Sequence, residues 1–197
     1  MNRVLLCLLA VFGTIFSPLS ADIKGGSWLD KRAMSQIWDR LPTAGTDLII
    51  EVQKGLVAYA IMQQGRPEVH ISTGMMKALE PYELRFVISH EVAHTLYNHM
   101  DRAAARMDMM HRTPGTLSGM TFLALGMKFD EQQADTLGQT LYKAAGWPMD
   151  VFARMQKKCA DGTLATKACM PSLSLRDPHF AFPDRFKLLV DRAGGLK

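Results

Sequence analysis

The stretch FVISHEVAHTLYNH, residues 86–99, limits what this chain can fold into more than any other segment. On an α-helix, His94 lies about 40° around the axis from His90, so one metal ion can contact both rings. Glu91 lies close to the same face, where its carboxylate can hold a metal-bound water. This HExxH spacing is typical of a catalytic zinc site in which the glutamate is the general base. The alternative is a buried helix whose two histidines are satisfied by other side chains.

His99, the third histidine of the stretch, does not complete the ligand set. Pro81 suits the first turn of a helix that is predicted to run to about Arg106. On such a continuous helix His99 lies about 180° from His90 and cannot reach the same ion. We therefore expect it to support the site from behind its ligands, to contribute to packing, or to lie on the surface.

A third ligand must come from another segment, and DEQQADTLG, residues 130–138, offers one. Glu131 and Asp135 are one helical turn apart, on the same face. Two histidines and a glutamate form a ligand set that leaves a fourth position open to water. Asp135 could then accept a hydrogen bond from the other ring nitrogen of His90 and fix its tautomer. Considered alone, the segment fits the exposed acidic start of a helix better.

The remaining patterns predict a mostly helical chain with a small antiparallel or mixed sheet. Ser27 can cap a helix that Pro42 ends, and Gly146 ends a helix predicted to start near Phe129. Six methionines between Met100 and Met127 give a soft apolar surface. We favour core packing for this region over a lid, a contact for unfolded chains or a membrane-surface helix. Strands are predicted within 46–53, 56–63 and 68–73, an apolar stretch over 117–129, and short helices within 149–159 and 183–193.

The N-terminus predicts export. Arg3 precedes an apolar run from Val4 to Phe16, about as long as a signal-peptide core, and Ala21 is a plausible last residue before cleavage. An uncleaved membrane anchor is the alternative. The remaining residues 22–197 are enough for one domain with a core. The formal charge of +4 is spread without a basic block, which argues against a nucleic-acid partner.

Export changes how the three cysteines are interpreted. Cys7 would leave with residues 1–21, so that Cys159 and Cys169 remain as an even pair in an oxidising compartment. A disulfide between them would close a loop of about 11 residues and stabilise the fold by at most about 3 kcal/mol. Two unpaired thiols are the alternative.

HExxH followed some tens of residues later by ExxAD resembles the gluzincin zinc metallopeptidases of the HtpX and CAAX prenyl protease type. VHISTGMM, YELRFVISHEVAHTLYNH and FDEQQADTLG carry the resemblance, which extends over about residues 48–189. It implies a zincin-like α+β fold with a small sheet beside the active-site helix, in a single domain over 22–197. It also implies one Zn²⁺ per chain, bound by His90, His94 and Glu131, with Glu91 as the catalytic base and Asp135 behind the ligands.

Near the C-terminus, DPHFAFPDRFKLL resembles the family's His-Pro segment, which an arginine follows six residues after the histidine. His179 and Arg185 keep that spacing, although Phe180 stands where the family has proline. The resemblance implies that His179 reaches the cleft, to stabilise the oxyanion or to occupy the fourth zinc position in a resting state. Arg185 would brace that segment or the region of Asp135.

The function that the resemblance implies is that of a periplasmic zinc endopeptidase acting on unfolded or misassembled envelope proteins. The sequence shows no clear transmembrane hairpins and no tetratricopeptide extension, so we expect a minimal periplasmic member. A peripheral contact with the membrane or with outer-membrane assembly machinery is a further expectation. The alternatives are a zinc-binding chaperone or assembly factor with little proteolysis, and a zinc-binding envelope protein whose ExxAD match is accidental.

Overall fold

A four-stranded sheet lies beside a helical layer in the computed structural model, which describes residues 22–43, 45–112, 117–163 and 185–195. The strands lie in the order β1-β2-β4-β3; β2 is parallel to β1 and to β4, and β3 is antiparallel to β4. The sheet is therefore mixed, and the α+β class predicted from the sequence is confirmed. The strands are β1 (Ile23–Gly25), β2 (Asp47–Glu51), β3 (Ala58–Gln63) and β4 (Arg66–Ser72).

The order of the strands in the sheet differs from their order along the chain. β2 and β3 are not neighbours, because β4 is inserted between them. The alternating residues Leu48, Ile50, Val69 and Ile71 are all buried, so the central pair β2 and β4 presents one apolar face to the helices. β3 and β4 form a tight hairpin through Gln64 and Gly65, both with positive φ. β1 was not predicted, since three residues carry no detectable alternation.

Seven helices lie in the described part of the chain. Ser27 caps the first as predicted, because its hydroxyl accepts from the backbone N–H of Asp30 while Asp30 accepts from that of Ser27. The helices are α1 (Trp28–Trp38), α2 (Thr73–Ala78), α3 (Pro81–Leu96), α4 (His99–Arg112), α5 (Leu117–Ala144), α6 (Val151–Ala160) and α7 (Arg185–Gly195). None of these helices is both long and apolar enough to cross a bilayer.

The helix that begins at Pro81 does not run to Arg106, and that prediction is wrong. It ends at Leu96, and Asn98 adopts a left-handed conformation with φ of 53° before α4 starts. Asparagine tolerates this conformation better than most residues, and here its side chain donates to Asp101 at 2.8 Å. The break reorients the chain and changes where His99 points.

α5 is one helix of 28 residues, so its predicted start near Phe129 is about three turns too late. It ends as expected, before Gly146 with φ of +75°. α3 and α5 pack along each other, and the α3 side chain Phe86 meets Tyr142 of α5 and Phe152 of α6 in edge-to-face contacts. The core packing expected for the methionines of 100–127 is wrong, since none of those that the structure describes belongs to the buried core.

Candidate metal centre

α3 and α5 bring the three predicted metal ligands together. His90 Nε2 and His94 Nε2 lie 3.0 Å apart, and each lies 3.3 Å from a carboxylate oxygen of Glu131. A tetrahedral zinc ion with ligand distances of about 2.0–2.1 Å separates its ligand atoms by about 3.3 Å. The three side chains are buried, and their donor atoms form a group that could hold a metal ion. Two imidazoles and one carboxylate, at these separations, fit zinc.

Gly138 allows α5 to approach α3 closely enough for this geometry. A Cβ atom built at Gly138 would lie 2.9 Å from the Cα and 3.0 Å from the backbone nitrogen of His90. Real Cβ contacts essentially never come this close to backbone, so a larger residue would push the two helices apart. Glu131 lies two turns earlier on α5 and would move with it. The sequence analysis missed this residue, although an isolated glycine inside a helical pattern is a recognised signal of close packing.

Asp135 contacts the ring of His90 on the side away from the other ligands. Its Oδ1 lies 3.0 Å from His90 Nδ1, and both side chains are buried. An Nδ1–H that donates to this carboxylate leaves the lone pair of Nε2 directed at Glu131 and His94. The contact therefore selects the tautomer that a metal ligand needs.

His99 supports His94 in the corresponding way, which a continuous helix would have prevented. His99 Nδ1 lies 2.9 Å from His94 Nδ1, and the ring is only 2% exposed. The ring of Tyr97 stacks on the ring of His99, with ring centroids 5.5 Å apart. Burial, reinforced by His94 and Arg102, lowers the pKa of His99 to about 3, so the ring is neutral. Its Nδ1 can then accept a hydrogen bond from His94 Nδ1–H, and the expectation of a surface position is excluded.

A buried ion-pair cluster holds α4 against α5 beside the ligands. Asp130, which precedes the ligand Glu131, is paired with Arg106 and with Arg102, whose guanidinium nitrogen lies 3.3 Å from Asp130 Oδ1. Arg102 also donates to Gln133 on α5 at 2.9 Å. The sequence analysis missed this cluster. The available signal was the pair of arginines one turn apart on a helix that carries a buried histidine.

Glu91 occupies the position expected of a base. It is 3% exposed, and its Oε2 has no hydrogen-bond partner among the described residues. It lines the same cavity as the ligands His94 and Glu131. A buried carboxylate oxygen is costly to leave unpaired, so its position beside a metal-ligand set indicates a partner such as a water molecule.

The structure describes only some of the other predicted site residues. His179 and Cys169 lie outside the described residues, so the roles predicted for them stay predictions. Arg185 is the first residue of α7, and its side chain also lies outside the description. Cys159 lies in the last turn of α6. α7 itself docks on α5 near the site, because Gln139 donates to the backbone oxygen of Leu189 at 2.6 Å.

Buried His90, His94 and Glu131 in a mixed α+β fold fit the class of zinc metallopeptidases, and so does Glu91, whose Oε2 has no hydrogen-bond partner among the described residues. The comparison with known families agrees. The chain belongs to peptidase family M48, a family of zinc-dependent metallopeptidases, and the match covers residues 40–145, which include all four side chains. No curated protein matches the chain. The resemblance to the HtpX and CAAX type within the family stays a prediction.

Proposed function

We propose that the chain is a periplasmic zinc endopeptidase that hydrolyses peptide bonds in unfolded or misassembled envelope proteins. The buried, unpaired Oε2 of Glu91 beside the His90–His94–Glu131 donor set is the observation that carries this proposal. A purely structural zinc site uses all four positions for protein ligands and has no need of a base. A chaperone that used zinc only for structure would gain nothing from burying this carboxylate.

In the proposed mechanism, His90, His94 and Glu131 would hold one zinc ion per chain. Zinc held there would activate a water molecule and polarise the scissile carbonyl. Glu91 Oε2 accepts the proton of the attacking water and then donates it to the nitrogen of the leaving amine. Asp135 holds the His90 ring in its metal-binding tautomer throughout. His179 is proposed to stabilise the oxyanion.

The edge strand β3 supports an extended protein substrate. Among the described strands β3 pairs only with β4, and Tyr59 and Ala60 of β3 line the cavity that also contains Glu91. An extended chain that pairs with the backbone of β3 would therefore pass the base. Backbone pairing requires an unfolded segment but little sequence identity, which suits unfolded or misassembled proteins. The periplasmic location rests on the signal-peptide pattern of residues 1–21, which lie outside the described residues.

Hydrolysis of reduced casein by the zinc-loaded protein, beside a Glu91→Gln variant of equal zinc content, tests the proposal. Cleavage by the first and none by the second would support both the peptidase and the role of Glu91. Equal cleavage by both would contradict the mechanism. If neither cleaves although each binds zinc, suppression of aggregation of a refolding protein would favour a chaperone instead.

A further inference from the structure

A polar cavity lies where the chain after α1, the start of α3 and the turn after α5 come together. Its volume is about 530 Å³, which is within the range of sites that hold small ligands. Two arginines line it: Arg40, which follows α1, and Arg85, in the second turn of α3. None of the described residues that line it also lines the cavity that contains Glu91, so the two cavities are separate.

Arg85 is held in this cavity by aromatic rings and not by a carboxylate. Its guanidinium carbon lies 4.4 Å from the centroid of the Tyr82 ring and 5.5 Å from that of the buried Trp147. Contacts with aromatic faces orient the guanidinium group but do not use its N–H donors, which lie in its own plane. Arg85 forms no ion pair with a carboxylate of the described residues, so its donors are available to a ligand in the cavity.

Arg40 brings a second cation to the same turn from a different element. It donates to the backbone oxygen of Ala145 at 3.2 Å, which places its guanidinium group two residues along the chain from Trp147. A guanidinium group has five N–H donors, so this single bond leaves most of them unused. Arg40 also has no carboxylate partner among the described residues, whereas the arginines of α4 share a buried one.

The rest of the lining does not cancel this positive charge. Asp39 is the acidic side chain of the cavity, and it is exposed at the end of α1. Two guanidinium groups and one carboxylate leave the lining with a net positive charge. Gln36 adds an amide that can both donate and accept. The cavity therefore presents two oriented cations to an anion, with polar groups beside them.

We propose that this cavity, the Arg40–Arg85 site, binds a ligand that carries a phosphate monoester. A carboxylate has one charge and two oxygens, which the fork of a single arginine satisfies. A phosphate monoester has close to two negative charges near neutral pH and three terminal oxygens, which suit two arginines that approach from different elements. Asp39 and Gln36 can accept hydrogen bonds from hydroxyl groups on the rest of the ligand. The site lies outside the metal centre and does not depend on the peptidase function.

Calorimetric titration of the zinc-loaded protein with glycerol 3-phosphate, glycerate and glycerol tests the site. We expect glycerol 3-phosphate to bind most tightly. Arg85→Gln and Arg40→Gln should each weaken its binding about five- to fiftyfold, as expected for charge-assisted hydrogen bonds in a cavity that is open to solvent. Arg40 is exposed, so its variant remains informative even if the loss of Arg85 disturbs the packing of Trp147. Arg32→Gln removes the same charge from an exposed position on α1 that does not line the cavity, and this matched control should bind as wild type does.

Phosphatidylcholine vesicles with and without phosphatidic acid distinguish a lipid headgroup from a soluble phosphate. Cosedimentation that requires phosphatidic acid, and that Arg85→Gln and Arg40→Gln abolish, would identify a lipid as the source of the phosphate. Binding of glycerol 3-phosphate without such cosedimentation would identify a soluble ligand.

Three results would overturn the Arg40–Arg85 site. The first is binding of glycerol 3-phosphate that both variants retain, because the anion would then bind elsewhere, for example at the zinc ion. The second is binding of glycerate as tight as that of glycerol 3-phosphate, which would contradict the choice of a phosphate. The third is the absence of binding by glycerol 3-phosphate and by the phosphatidic acid vesicles.

Discussion

His99 offers the sharpest test of how the metal centre is built. Its Nδ1 lies 2.9 Å from His94 Nδ1 and accepts a hydrogen bond from His94 Nδ1–H, in a position that water does not reach. His99→Phe keeps an aromatic ring for Tyr97 to stack on and removes the acceptor. A buried donor without an acceptor costs about 1–3 kcal/mol.

The cost falls mainly on the metal-bound state. When His94 Nε2 binds zinc, the ring must carry its proton on Nδ1, whereas without metal the proton can move to Nε2. A cost of about 1–3 kcal/mol corresponds to zinc binding weakened roughly five- to 150-fold, in line with the ten- to hundredfold typical of residues that orient metal ligands. His99→Gln should restore most of the affinity, because its amide oxygen can accept the same hydrogen bond from His94 Nδ1–H.

Competition between each variant and a fluorescent zinc chelator measures the dissociation constant directly. Thermal unfolding of the metal-free proteins is the control. A packing defect alone would lower the melting temperature of a variant, but it would not make His99→Phe bind zinc more weakly than His99→Gln. Zinc binding by His99→Phe within twofold of wild type would refute the reasoning, and so would equal weakening in both variants.

Three further predictions concern the support of the site. Gly138→Ala places a methyl group 2.9 Å from the backbone of α3 and should destabilise the protein by about 1–3 kcal/mol. Gly194→Ala, with nothing within 4 Å, should not destabilise it in the same urea titration, because alanine favours a helix more than glycine does. Asp130→Asn leaves the arginines of α4 without their buried countercharge, so we expect the free energy of unfolding to fall by about 3 kcal/mol. Adding salt to the wild-type protein should not produce the same fall. A hydrogen bond from Tyr59 lowers the pKa of Glu51 below 4.5, so the stability it contributes should be complete above about pH 4.5 and lost as the pH falls through the lowered value; Glu51→Gln should remove that dependence from unfolding curves.

Helical periodicity predicts the pairing of His90 with His94, whereas the choice of Glu131 as the third ligand also depended on the resemblance of HExxH followed by ExxAD to the gluzincin pattern. His90 and His94 lie on one face at any register, and the spacing of Glu131 and Asp135 matches one turn of a second helix. Their proximity across two helices also requires the close approach of α5 to α3 that Gly138 permits. Local pattern and the fold therefore agree at these four residues.

The parts that could not be predicted depend on long-range contacts or on one backbone angle. The position of β4 between β2 and β3 is decided by which strands bury Leu48 and Val69 together, and no local signal specifies that pairing. The approach of α5 to α3 depends on the missing side chain of Gly138, which the sequence shows only as a weak helix former. The break before α4 rests on Asn98, whose left-handed conformation is accessible to asparagine without being required by it.

The break before α4 determines two features of the metal centre, the contact of His99 with His94 and the cavity that α4 lines. If α3 continued past Leu96, His99 would lie about 180° from His90, and His94 would lose its acceptor. The residues of α4 would also follow the axis of α3, so Ala103 and Met107 could not line the cavity that contains Glu91. A single residue with φ of 53° thus permits both the support of the metal ligand and the cavity beside it. The support of His94 and the cavity beside it are therefore consequences of the same departure from helical geometry, and a substitution that straightened the helix would lose both together.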